Sequence, residues 1–168
     1  MMIGQYKAYI AILCSFLLAF CLSILPMPTW VVALQPNWVW LVLIFWGMAV
    51  PQCVGLSIAW LLGLMVDVLL GHLLGEHALV FMASQYLIIR YRPQIKQYSL
   101  VQQWMVVFGL LVVGYMVLFL LQGMLGQLPL YRRYWLQPLI AALCWPWLDI
   151  FLKILQNRYQ IYNAAELE

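Results

Sequence analysis

The sequence predicts an all-α fold, a polytopic membrane protein of about six transmembrane helices. Composition is the first observation: 67% of the 168 residues are apolar and 8% charged, with mean hydropathy +0.97, where a soluble domain carries roughly 25% charged residues. Length is the second, since it admits about six apolar runs of ~20 residues with short loops and leaves no room for a soluble catalytic domain. The third is charge placement, because the eight Lys and Arg residues sit at loops and helix ends. A single integral membrane domain over residues 1–168 is expected. The formal charge of +3 is small and forms no basic patch, so nucleic acid is not an expected partner.

The first span is expected at about 8–25. Its apolar run is about 18 residues with no small-x-small cleavage site behind it, so it reads as a retained span and not a signal peptide. Pro26 and Pro28 stop it by removing donors. The second span, about 30–50, contains QPNWVWLVLIFWGMAVP, with Pro36 in the first turn, Asn37 and Trp38 at interfacial depth and Pro51 at the close. Its uninterrupted part is short, so the span is expected to begin at 29–34 and break at Pro36.

A tight Pro51-Gln52-Cys53 link then predicts that the third span, about 54–71, is an antiparallel neighbour of the second. The fourth is expected at about 74–90, followed by a basic loop of Arg90, Arg92 and Lys96 around Pro93. The fifth covers about 100–122, and the sixth about 136–155, interrupted by Pro146 between Trp145 and Trp147. With the N-terminus cytoplasmic, Lys7, Arg90, Arg92, Lys96, Lys153 and Arg158 lie inside and Arg132 and Arg133 outside, which places both termini in the cytoplasm.

The third span carries the informative residue. Gly55, Ala59, Gly63, Asp67 and Gly71 recur every four residues and form one ridge on a helix. Small residues let a second backbone approach closely in lipid. An ionised carboxylate in hydrocarbon costs roughly 3 kcal/mol or more, so Asp67 must be neutral, paired or near water. It can cap or hydrogen-bond a neighbouring helix, hold a proton or cation, or position a partner's helix. Gly71 and Gly75 are expected to loosen the helix near its end.

Other constellations point to structure more than to chemistry. His72, Glu76 and His77 match neither HExxH nor HxxEH, and flanking glycines mark a turn, with Glu76 placed for the dipole of the fourth helix. Asp149 and Lys153 can pair at i, i+4. Ser57 and Ser84 lie in no nucleophile setting. Cys14, Cys21, Cys53 and Cys144 contain no CxxC pair and read as small packing residues. No cofactor or metal is expected.

In QPNWVWLVLIFWGMAVP at 35–51, GLMVDVLLGHLLGEHAL at 63–79 and WPW at 145–147, the chain resembles the MreD family of rod shape-determining proteins. The resemblance implies a non-enzymatic scaffold of the bacterial inner membrane, part of the elongation complex (elongasome) that maintains rod cell shape through lateral peptidoglycan synthesis. It implies direct association with MreC, and through it with MreB, RodA and a penicillin-binding transpeptidase. It implies a fold similar to the six-helix substrate-capturing component of energy-coupling-factor transporters. Structural or partner-binding roles are implied for Pro36, Asn37, Trp38, Gly63, Asp67, Gly71, Gly75, Trp145, Pro146 and Trp147, with no catalytic residue. The alternative is a small-molecule-binding component of a vitamin-type transporter, suggested by aromatic-rich spans and the short second segment. That role needs polar groups converging on a cavity, and Asp67, Ser84, Gln85 and Gln122 are the few available. An intramembrane enzyme lacks a nucleophile or metal set.

Overall fold

The computed structural model describes residues 2–25, 35–124 and 135–158, with side chains from residue 9 onward. Among the described residues the chain is helical with no strand: α1 (Met2–Ile24), α2 (Trp38–Ala49), α3 (Leu56–Leu70), α4 (Glu76–Gln97), α5 (Leu100–Met124) and α6 (Gln137–Arg158). Helices α5 and α6 are long and apolar enough to cross a membrane. The proposed start of the second span at 29–34 and the Arg132–Arg133 connection lie outside the described residues.

Helix α2 is the centre of the bundle. Its 12 residues, WVWLVLIFWGMA, are apolar on every face, and a helix of that kind must be covered all round. Helices α1, α4 and α6 cover it, and Gly114 and Tyr115 of α5 meet Trp40. Val39 to Phe45 and Trp46 are all buried. A buried indole needs an acceptor for its N–H. Trp40 Nε1 donates to Ser84 Oγ at 3.0 Å and Trp46 Nε1 to Ser15 Oγ at 2.8 Å, tying α2 to α4 and α1. Two glycines permit the approach: a Cβ at Gly47 would fall 2.5 Å from the Gln85 amide, and one at Gly114 would fall 2.6 Å from Trp40 Cζ2.

Several expected boundaries are corrected. Pro36 precedes the helix instead of sitting in its first turn, because Asn37 is the N-cap and its Oδ1 accepts from Trp40 N–H at 3.2 Å. Helix α3 packs chiefly on α4 and far less on α2, the neighbour expected from the short link. Gln85 Nε2 instead claims the Val54 carbonyl of that link at 2.6 Å. Cys14 and Cys21 are exposed on α1 and not packed.

The basic stretch expected as a loop after residue 90 is helical to Gln97, with Pro93 inside α4. One proline near a helix end forfeits a single backbone bond. Arg92 secures the segment by donating from Nε to Met48 O at 3.0 Å and from Nη2 to Ala49 O at 2.9 Å. The guanidinium thereby satisfies orphan carbonyls at the α2 C-terminus and lies at the negative end of its dipole. The chain turns at Tyr98 and Ser99, where Ser99 and Gln102 exchange hydrogen bonds as a capping box for α5.

Pro146 does not interrupt α6 either. A proline at 146 leaves the carbonyl of residue 142 without its intrahelical donor. Trp104 Nε1 of α5 supplies one, 2.7 Å from Ala142 O.

Candidate functional site

The corner between α3 and α4 gathers most of the buried ionisable side chains. Helix α3 ends at Gly71, whose φ of +68° lets it close the last turn, with Gly71 N–H directed to Val68 O and His72 N–H to Asp67 O. Gly75, at φ +110°, turns the chain into α4. A side chain is strained at either angle, so the two glycines end one helix and start the next, where loosening of α3 was expected.

As N-cap of α4, Gly75 has no side chain with which to satisfy the orphan N–H groups there. Asp67 does so from the preceding helix. Its Oδ2 accepts from Gly75 N–H at 2.8 Å, and its Oδ1 accepts from His77 N–H at 3.0 Å and from His77 Nδ1 at 2.7 Å. An ionised carboxylate is acceptor-only, and facing one the imidazole would carry its proton on Nδ1. Asp67 is 0% exposed. A buried charge is tolerated when hydrogen-bonded and paired, and at a helix N-terminus the dipole adds to the attraction.

Close packing makes this reach possible. A Cβ on Gly63 would penetrate the α4 backbone, 2.6 Å from Ala78 N. Gly63 and Asp67 of the small-residue ridge thus meet α4 of the same chain, with Gly71 and Gly75 at the turn between the two helices.

A second group adjoins the first. Gln122 of α5 donates to Glu76 Oε2 at 3.2 Å, and His72 Nδ1 lies 3.4 Å from the same oxygen. The His72 and His77 rings meet edge to face with centroids 5.3 Å apart. Glu76 Oε1 is buried without a hydrogen-bond partner among the described residues. Among the described residues no group of three His, Cys, Asp or Glu side chains is arranged to hold a metal ion.

The remaining sequence-predicted positions lie elsewhere. Asn37 caps α2, and its backbone hydrogen-bonds the Tyr115 phenol oxygen. Trp38 packs at the core edge. Trp145 is buried, whereas Trp147 is 80% exposed on the other side of Pro146. Contacts do connect the α2 cap to the corner, since Trp40 stacks on Phe81 at 5.6 Å and Phe81 meets His77 at 6.0 Å.

Sequence reasoning isolated Asp67 but not its partners. His77 is ten residues away, and only a glycine-bracketed turn that folds back on itself brings the two together. That signal was present in Gly71 and Gly75. The role of Gln122 had no local signal, because it depends on how α5 packs.

The model of the family described as rod shape-determining protein MreD matches residues 5–155. The chain is 30% identical over 154 residues to the rod shape-determining protein MreD of Haemophilus influenzae, covering 92% of this chain and 95% of that protein. No solved structure matches. With the match extending from α1 almost to the end of α6, the chain belongs to the MreD family of rod shape-determining proteins.

Proposed function

We propose that this protein is a non-enzymatic scaffold of the rod elongation complex, crossing the bacterial inner membrane six times with both termini in the cytoplasm. In this reading it binds MreC and, through it, joins MreB, RodA and a penicillin-binding transpeptidase in lateral peptidoglycan synthesis. The observation that carries the reading is the family match over residues 5–155. Large apolar side chains that face outward support the membrane setting: Met65 and Val68 on α3, Met116 and Leu120 on α5, Phe151 and Ile154 on α6 are all more than half exposed. Apolar surface on that scale belongs against lipid or a partner.

The site fits a structural role. Asp67 has both oxygens engaged within its own chain, and Gly63 is filled by α4, so the ridge sets the angle between two helices and leaves the outer face of α3 for contact. A fold like that of the substrate-capturing transporter components belongs to the same proposal. The test is gentle purification of the tagged protein from native membranes, with mass spectrometry of co-purifying proteins and small molecules. Recovery of MreC with elongation enzymes is expected. Recovery of transporter ATPase subunits with a stoichiometric small ligand, and no MreC, would overturn the assignment.

A further inference from the structure

The last turns of α2 and α4, the first turn of α5 and the distal half of α6 line a half-open cavity of about 160 Å³, many times the ~10–15 Å³ that one water requires. Among the described residues three cationic side chains line it, Arg92, Lys96 and Lys153, against one carboxylate, Asp149. Two of the cations are held in place. Arg92 is oriented by its bonds to Met48 O and Ala49 O, which engage two of the five N–H donors of a guanidinium and leave the others for a further acceptor. Lys153 is steadied by Asp149 at 2.7 Å while remaining 45% exposed. Gln103 closes the α4–α5 side by donating to Ile95 O at 3.1 Å and Tyr98 O at 3.3 Å. Phe45 and Met48 give the cavity an apolar floor.

Positive charge in this excess favours a compact anion with several acceptor oxygens. A guanidinium fork and two ammonium groups match the oxygens of a phosphate, the fork by geometry and the ammoniums as point charges. A basic pocket between membrane helices on the cytoplasmic side is the setting in which anionic headgroups are held. We infer that this cavity binds a phosphate group, the chemistry shared by an anionic phospholipid headgroup and a soluble phosphate. The site is separate from the Asp67 corner and goes beyond the scaffold role.

Native mass spectrometry of the full chain released from neutral detergent tests it, with phosphatidylglycerol, phosphatidylcholine or inorganic phosphate as the added probe. The double variant K96Q/K153Q removes two charges whose side chains are not in the core, and gel filtration checks that it remains folded. At about fivefold per lysine, phosphatidylglycerol or phosphate should bind roughly 25-fold more weakly to the double variant. Retention of phosphatidylglycerol without inorganic phosphate assigns the source to the bilayer, and retention of inorganic phosphate assigns it to solution. Equal binding by native and variant chains, equal retention of phosphatidylcholine, or binding of neither anion overturns the inference. None of these readouts involves MreC, so failure here leaves the scaffold assignment to its own test.

Discussion

At the scale of single residues, Asp67 holds the α3–α4 corner together by accepting from two backbone N–H groups and one imidazole. Asp67→Asn removes the charge and turns one acceptor into a donor facing an N–H. Such a change, at a buried hydrogen-bonded charge, should lower stability by about 2 kcal/mol, read as a fall in the denaturation midpoint of the detergent-solubilised protein. A midpoint equal to that of the native protein would mean that the carboxylate is dispensable to the corner. Asp67 was legible in the sequence because a lone acid among apolar neighbours demands a partner. Glu76, His77 and Gln122 were not legible as its surroundings. The spacing of residues along a chain says nothing of a turn tight enough to fold helix onto helix, nor of which amide α5 will present to it.

At the scale of elements, the prolines separate what local chemistry decides from what packing decides. Pro93 and Pro146 both read as breaks, since each removes a donor, and both lie within continuous helices. Remote side chains compensate, Arg92 by anchoring its segment to α2 and Trp104 by occupying the carbonyl that Pro146 leaves open. A double-mutant cycle tests the second case. Trp104→Phe should cost about 1–3 kcal/mol by orphaning the Ala142 carbonyl. In a Pro146→Ala background, where the helix recovers its own N–H, the same change should cost measurably less. Equal cost in both backgrounds would show that the indole contributes only packing. The apolar stretches that became α3, α5 and α6 were legible to within a few residues because hydropathy marks them directly. The helical extension of α4 was not, as its charged, proline-containing sequence has no hydropathy signal, and Arg92 ties it to α2.

At the scale of the whole molecule, the all-helical architecture followed from composition, whereas the place of each helix did not. The glycine ridge drew attention to α3, yet the helix enclosed by the others is α2. If the chain crosses the membrane six times, a fluorescent reporter at its carboxyl end should be bright and a periplasm-dependent phosphatase there inactive. The opposite result would require an odd number of crossings or the inverted orientation. At about 1.5 Å per residue helix α2 is only about 18 Å long, well short of the ~30 Å hydrocarbon layer. It is nevertheless the most apolar of the six helices. In a bilayer, neighbours that wall it off would spare it hydrophobic mismatch, so shape instead of oiliness should govern its tolerance to change. Exchanging Leu43 or Ile44 for a differently branched aliphatic should disturb the protein more than the same exchange at outward-facing Leu120, although a lipid-partition scale would rank the replacements alike.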